Sequence, residues 1–281
     1  MLPLACLGAG LLAGIAAYAL FLEPLRLELT RREFDIDRLP AAFEGFEFVH
    51  VTDTHSRGLG ARERQLLEVV GRLMPRPILF TGDVPLRNPR SSAVEVLRRL
   101  RALGEVWLVP GNHDKPSDGY GDFASGRETA EALGVTVLFN RAVPFEHGGA
   151  RLWLAGVDDP DKGQPDLTTA LAAVPDDEVV LLLAHSPDIV AVAGAERIDL
   201  ILSGHTHGGQ IRLPGLPVLI TRLKRAPRQY AVGVHRLGER TTLFVSRGVG
   251  LSRLLPARLG CRPEVSIIIL RGGNSRGVEN V

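Results

Sequence analysis

The chain has 281 residues, of which 45% are hydrophobic and 23% are charged, a composition typical of a folded protein with one large domain or two small ones. Its formal net charge is +1, which gives no overall attraction for nucleic acid and argues against a nucleic-acid partner. The only cysteines are Cys6 and Cys261, and because Cys6 lies in an apolar segment, a disulfide framework is not expected.

Residues 1–22 predict a transmembrane anchor. No charged residue occurs from Leu2 to Leu22, and an apolar run of about 20 residues can cross a bilayer as a helix. A cleaved signal peptide is the competing interpretation, since Ala17-Tyr18-Ala19 has the form of a cleavage site, but no basic residue precedes the run. The nearest basic residues all follow it: Arg26, Arg31, Arg32 and Arg38. We therefore expect a single-pass protein of the inner or plasma membrane with its globular part in the cytoplasm.

A polar connection over residues 23–44 predicts a linker, and after it strands and helices alternate. Strands are predicted at Phe46–Thr52, Ile78–Thr81 and Val106–Val109, with helices at Arg62–Leu73 and Ser91–Leu103. This β-α-β-α-β order implies parallel strands with helical crossovers.

The second half of the chain predicts further strands with little helix between the later ones. These strands are Arg151–Val157, Val179–Ala184, Asp199–Leu202, Gln229–Val234, Thr242–Ser246 and Val265–Leu270. The last three favour antiparallel pairing, so we predict an α/β fold in which two mixed sheets, flanked by helices, form a sandwich. One folded domain is expected over residues 45–272, followed by a flexible polar tail over residues 273–281.

Polar side chains follow five of the predicted strands, in loops that read VTDTH, FTGDV, PGNHD, AHSPD and SGHTH. Their candidate functional residues are Asp53, His55, Asp83, Asn112, His113, Asp114, His185, His205 and His207. Because ligands bind at the carboxyl ends of strands in α/β sheets, five loops would bring these side chains to one edge. Carboxylate, amide oxygen and imidazole are ligands suited to Mn, Fe or Zn.

The spacing within two loops favours the same interpretation. Residues at positions i and i+2 of an extended segment point the same way, so the carboxylate and imidazole of D-x-H, and the imidazoles of H-x-H, can share one cavity. Gly204, Gly208 and Gly209 beside the second pair would leave room for two ions and a substrate.

Each motif alone also has a structural explanation. A single D-x-H usually marks the end of a strand, and G-N-H-D also fits a turn. His50, His147 and His235 are expected to be structural. Five polar clusters at one sheet edge, however, would be costly to bury without ions. Taken together they predict a site for two divalent metal ions.

Three further features of the sequence each have two interpretations. Asp158 and Asp159 either form a turn or line the site. Arg247 either contacts a phosphate or is a solvated loop side chain. The basic run Arg222–Arg228 is typical of a charged loop, with lipid headgroups as the second possibility.

The order D-x-H, G-D, G-N-H-D, H, G-H-x-H resembles the calcineurin-like metallophosphoesterase superfamily. Within it, the segments EPLRLELT, VPGNHD, AHSPD and SGHTHGGQIRLPG resemble a membrane-associated bacterial branch that is similar to UDP-diacylglucosamine pyrophosphatases. The likeness covers about residues 23–270. It implies a two-sheet α/β sandwich, a catalytic domain over residues 45–272, and hydrolysis of phosphoester or diphosphate bonds.

The resemblance also implies a role for each candidate. The ligands of one ion would be Asp53, His55 and His207. The ligands of the other would be Asn112, His185 and His205. Asp83 would bridge both ions.

The implied chemistry is in-line attack on phosphorus by a hydroxide between the two ions. His113 would stand near the leaving-group oxygen as general acid or stabiliser, with Asp114 orienting its ring.

The anchor suggests a lipid-linked substrate such as UDP-diacylglucosamine, and hence a part in lipid metabolism. The alternatives are a protein phosphatase or nuclease on the same fold, and a non-catalytic scaffold stabilised by metal. The sequence predicts no particular oligomeric state.

Overall fold

The computed structural model describes residues 2–86, 92–115, 123–192, 194, 197–252 and 254–273. Its helices are α1 (Leu2–Ala17), α2 (Ala61–Gly71), α3 (Ser92–Leu103), α4 (Ala124–Ala132) and α5 (Leu167–Leu171). Its strands are β1 (Glu28–Ile36), β2 (Glu47–Val51), β3 (Ile78–Phe80), β4 (Val106–Leu108), β5 (Thr136–Val137), β6 (Arg141–His147), β7 (Ala150–Gly156), β8 (Val180–Leu183), β9 (Leu200–Ser203), β10 (Gly233–Leu237), β11 (Thr241–Val245) and β12 (Glu264–Gly272). Apart from Gly273, the predicted tail lies outside the described residues.

Two six-stranded sheets pack against each other. Their strand orders are β1-β12-β2-β3-β4-β5 and β10-β11-β9-β8-β7-β6. Side chains of both sheets share one buried cluster, for example Phe48 and Leu79 from the first and Leu181 and Leu202 from the second. Helices α2 and α3 cover the outer face of the first sheet. The predicted two-sheet α/β sandwich is confirmed.

Parallel pairing places the predicted site at one end of this sandwich. Strands β2, β3 and β4 run parallel, as do β7, β8, β9 and β11. The loops that leave the two sheets contact each other. The His205 amide donates to Asp53 Oδ2 at 2.9 Å, and His185 Nδ1 lies 2.7 Å from the Thr81 carbonyl oxygen. The carboxyl ends of both sheets therefore meet.

Residues 23–44 differ from the predicted linker. They contain β1, which pairs in parallel with β12 from Glu28 opposite Glu264 to Ile36 opposite Gly272. Only two of its nine residues are buried, because an edge strand takes its hydrogen bonds from one neighbour and tolerates charged side chains. The apolar pattern that marks an inner strand is therefore missing from the sequence.

The predicted strand Gln229–Val234 is also displaced. Residues Arg228–Ala231 form a 3₁₀ turn, and β10 starts at Gly233. Gly233 has a φ of +94°, a conformation that interrupts an extended segment.

The predicted anchor is helical and its end is docked on the globular part. Residues Gly8–Leu25 are long and apolar enough to cross a membrane, with a mean hydropathy of 1.5 and 17% burial, whereas a core helix would be mostly buried. The Arg258 amide donates to the Ala19 carbonyl oxygen at 2.9 Å, and the Cys261 amide donates to Glu23 Oε1 at 2.6 Å. Because Ala19 and Glu23 are themselves buried, this end is part of the domain and is not a loose tether.

Candidate metal centre

The first ligand group joins the loops after β2 and β9. His55 Nε2 lies 3.1 Å from His207 Nε2, and His207 Nε2 lies 3.4 Å from Asp53 Oδ1. The ligand atoms of these three residues lie within 4.8 Å of one another. The structure thus brings together the set that the resemblance implies for one ion.

The second group joins the loops after β4, β8 and β9. The Asn112 Oδ1 atom lies 3.0 Å from both His185 Nε2 and His205 Nδ1, and those two nitrogens are 3.2 Å apart. This triangle is the set that the resemblance implies for the other ion.

Asp83 lies between the two groups. Its Oδ2 atom is 3.2 Å from His55 Nε2 and 3.4 Å from His185 Nε2. One carboxylate therefore faces both groups, which is the position that a bridging ligand requires.

The residues fit metal ions when the His185 ring is neutral. His185 Nδ1 contacts the Thr81 carbonyl oxygen, which requires a proton on Nδ1 and, in the neutral ring, leaves Nε2 with a lone pair. That lone pair faces the lone pairs of Asn112 Oδ1 and Asp83 Oδ2. Asp53 Oδ1, which faces His207 Nε2 at 3.4 Å, is buried without a hydrogen-bond partner among the described residues. Cations between these groups would satisfy the converging acceptors.

The pKa shifts reflect the close packing of ionisable groups in the site. Burial raises the pKa of Asp53 to about 6, opposed by His185 and reinforced by Asp83. Burial lowers the pKa values of His55 and His205 to about 4. For His185, burial lowers the pKa, but the carboxylates of Asp83 and Asp53 outweigh it and the net shift is upward. So many ionisable groups in one buried volume are stable together only if their charges are compensated.

The backbone at the site is held in an uncommon conformation. Five of the seven predicted ligands have a positive φ between 43° and 69°: Asp53, His55, Asp83, His205 and His207. A non-glycine residue in this region is disfavoured, and such residues cluster at functional sites. The surrounding loops therefore hold the ligands in place against an intrinsic cost.

His113 and Asp114, the predicted catalytic residues, lie beside Asp83. The His113 amide donates to Asp83 Oδ1 at 2.8 Å. The centroid of the His113 ring is 4.9 Å from that of the His55 ring. Asp114 Oδ2 accepts from the backbone amides of Asp83 and Gly111 at 2.7 and 2.8 Å, so this carboxylate holds two loops together. Burial, reinforced by Asp83, raises the pKa of Asp114 to about 7. The orientation of the His113 ring by Asp114 stays a prediction. The metal-free role of His113 also stays a prediction, because its ring is close enough to His55 and Asp83 to bind an ion with them.

The structure shows the contacts of Asp158, Asp159 and Arg247, each of which had two interpretations from the sequence. Asp158 forms a buried ion pair with Lys115 at 2.8 Å, which links the G-N-H-D loop to the loop after β7. Asp159 is buried beside it, and burial raises its pKa to about 6. Arg247 is partly buried and pairs with Glu264 and Glu28, both at 3.1 Å. The run Arg222–Arg228 remains open to both interpretations.

Sequence reasoning missed the residues that support the centre from behind. Arg258 is fully buried and its guanidinium donates to the carbonyl oxygens of Arg247, Gly248 and Gly250 at 2.7–2.9 Å. The Gly250 amide in turn donates to the Asp53 carbonyl oxygen at 2.6 Å. Cys261 Sγ lies 3.3 Å from the His207 carbonyl oxygen. No motif marks these residues, because their role comes from contacts between distant segments.

The Gly204→Ala variant should lose metal affinity. A Cβ atom at this position would overlap Asp53 Oδ2 and Thr52 Oγ1, so Asp53 must move. Displacing a ligand or its support typically costs about 10–100-fold in metal affinity, which titration of the metal-free protein with Mn²⁺ or Zn²⁺ would measure. Gly71→Ala in α2 is the matched control, because its Cβ meets only ordinary contacts. Unchanged affinity in Gly204→Ala would contradict the placement of Asp53.

Comparison with known proteins agrees with this geometry. The sequence model described as calcineurin-like phosphoesterase matches residues 46–209. The chain is 32% identical over 275 residues to the uncharacterized metallophosphoesterase YkuE of Bacillus subtilis, covering 95% of this chain and 93% of that protein. It is 37% identical over 201 residues to the phosphodiesterase YaeI of Escherichia coli, covering 70% of each.

A transmembrane protein with metallophosphoesterase domain from Danio rerio is 28% identical over 276 residues, covering 92% of this chain and 61% of that protein. Together with the apolar helix Gly8–Leu25, this relative suggests a membrane anchor. The chain belongs to the calcineurin-like phosphoesterase family, whose members hydrolyse phosphoesters and normally bind two divalent metal ions.

Proposed function

We propose that the chain is a dinuclear metal-dependent phosphodiesterase that cleaves a phosphodiester or diphosphate bond in a lipid-linked substrate. The observation that carries the proposal is the position of Asp83, which faces two groups of ligand atoms at 3.2 and 3.4 Å. Two bound ions would activate a water molecule and offset the negative charge of the phosphoryl oxygens.

The candidate ligands form two groups with Asp83 between them. Asp53, His55 and His207 would hold one ion. Asn112, His185 and His205 would hold the other. Asp83 would hold both, while Asp114 and Arg258 keep the backbone of the ligand loops in place.

His113 would complete the reaction by protonating the departing oxygen. Its side chain is only half-buried, whereas Asp53, Asp83 and His185 are fully buried. A partly exposed imidazole beside the ligands can reach a substrate and exchange its proton with solvent, as a general acid must.

The docked anchor supports a lipid-linked substrate. Cys261 contacts both Glu23 at the end of the apolar helix and His207 in the centre, so one residue separates the membrane end from a candidate ligand. A nucleotide–sugar diphosphate that carries acyl chains, such as UDP-diacylglucosamine, has this chemistry. The basic residues that follow the helix support a cytoplasmic catalytic domain, and the near-neutral charge disfavours a nuclease.

Hydrolysis by the full chain in detergent micelles tests the proposal. Bis-p-nitrophenyl phosphate, p-nitrophenyl phosphate, and an acylated and a non-acylated nucleotide–sugar diphosphate would be offered with Mn²⁺, Fe²⁺ or Zn²⁺, and with a chelator as control. We expect metal-dependent cleavage of the diester and of the diphosphates, with the acylated form preferred. Equal rates with and without acyl chains would exclude lipid selectivity, and hydrolysis of none of them with ions bound would favour the scaffold alternative.

A further inference from the structure

A group of large apolar side chains is exposed beside the metal centre. Their exposed fractions range from 45% to 89%, and they are Leu213, Leu216, Leu219, Ile220 and Leu254, here called the leucine surface. Single exposed apolar residues are normal, but a contiguous group indicates a binding surface.

The leucine surface comes from two loops that are fixed to each other through Gln210. Gln210 Oε1 accepts from the Ser252 amide at 2.8 Å, and its Nε2 donates to the carbonyl oxygens of Leu255 and Ala257. Arg222 reaches Ser252 Oγ from the first loop. The side chains of the two loops are therefore presented together, three residues after the candidate ligand His207.

The first loop is held in its exposed position. The Arg228 guanidinium donates to the carbonyl oxygens of Val218 and Leu219 at 3.3 and 2.8 Å. Val218 packs against Gly209, where a Cβ would overlap it. Leu219 and its neighbours thus face outward on a supported backbone.

The backbone of the first loop is linked to the end of the apolar helix through residues 258 and 259. The Arg212 amide donates to the Leu259 carbonyl oxygen at 2.7 Å, and the adjacent Arg258 amide donates to the Ala19 carbonyl oxygen at 2.9 Å. The last turns of the helix expose further large apolar side chains: Leu20, Phe21, Leu22 and Leu25. Whatever surrounds this helix end therefore lies close to the leucine surface.

Basic side chains border this surface. Arg225 and Arg228 are exposed in the segment that follows Ile220, as is Lys224, which pairs with Asp161. Asp188 fixes the backbone there by accepting from the amides of residues 224–226 at 2.7–3.2 Å. Apolar side chains flanked by basic ones are the pattern of a surface that lies in the headgroup region of an anionic membrane.

We propose that the leucine surface inserts into the boundary between headgroups and acyl chains, as a second membrane contact beside the anchor. The bilayer is the occupant that fits, because the surface is linked to the end of a helix long enough to span it and carries basic residues at its border. The metal centre then opens at the membrane surface, and the domain has one fixed orientation. This contact would hold whichever phosphoester is hydrolysed.

Site-specific fluorescence of the full chain tests the contact without any substrate. An environment-sensitive fluorophore would be attached at Leu216→Cys or Leu254→Cys, in a Cys6→Ser background whose remaining thiol, Cys261, is buried. Glu239→Cys is the matched control, because it is exposed in the turn before β11, at the opposite end of the sandwich. Each labelled protein would be reconstituted into phosphatidylcholine vesicles containing phosphatidylglycerol, with quenchers on the acyl chains or with aqueous iodide.

We expect acyl-chain quenchers to reduce the signal at positions 216 and 254 several-fold more than at position 239, and iodide to do the reverse. Quenching at 216 and 254 by iodide alone would overturn the proposal. Protection from both quenchers would also overturn it, because a second copy or another protein would then cover the surface. Since no turnover is measured, either failure is distinct from failure of the proposed phosphodiesterase activity.

Discussion

Asp83→Asn should remove most of the activity and loosen both metal ions. The side chain keeps its size but loses the charge and the second carboxylate oxygen, while Asp83 Oδ2 faces both ligand groups at 3.2 and 3.4 Å. Since metal ions stabilise phosphoryl charge by several kcal/mol, and each 1.4 kcal/mol is tenfold in rate, we expect turnover to fall at least about a thousandfold. Metal content by mass spectrometry and the rate on a diester would measure the two effects.

Asp199→Asn is the control for Asp83→Asn. Asp199 is also a buried aspartate, but it pairs with Arg240 at 2.8 Å at the amino end of β9, away from the centre. Its loss should lower stability while both ions stay bound. The bridging role of Asp83 would be wrong if Asp83→Asn released only one ion. It would also be wrong if Asp199→Asn lost as much metal as Asp83→Asn.

His113→Gln should keep both ions and lose most turnover. Removal of a general acid typically costs about 10²–10⁴-fold in rate. The loss should be larger for a diester with an alkyl leaving group than for one with p-nitrophenol, because p-nitrophenolate departs without a proton. The ratio of the two rates, measured beside metal content, separates proton donation from a purely structural effect.

His147→Gln provides the matched control, because His147 is an exposed histidine at the end of β6. It should change neither rate nor metal content. Release of an ion from His113→Gln would instead make His113 a ligand, consistent with its closeness to His55 and Asp83.

The inner strands and the site motifs were predictable because they are local patterns. Apolar runs bounded by Gly, Asp and Asn placed β2, β3 and β4 within two residues of their bounds. The site residues follow those strands directly, so parallel order alone was enough to gather Asp53, Asp83 and Asn112.

Other features depend on partners distant in the chain. The strand β1 has few buried residues and exists because β12 pairs with it. The role of Arg258 depends on carbonyl oxygens of residues 247–250 that no spacing rule connects to it. The sequence could not predict that Glu23 caps the Cys261 amide, since the two are 238 positions apart.

The left-handed backbone at Asp53, His55, Asp83, His205 and His207 limits what protein engineering can gain at these positions. A residue with a Cβ typically gives up about 1 kcal/mol in that conformation, and glycine does not. Glycine at Asp53 or Asp83 would relieve that strain, but it would also leave the amide of His205 or His113 without its acceptor, which costs about 1–3 kcal/mol. A search for thermostable variants should therefore leave these codons unchanged.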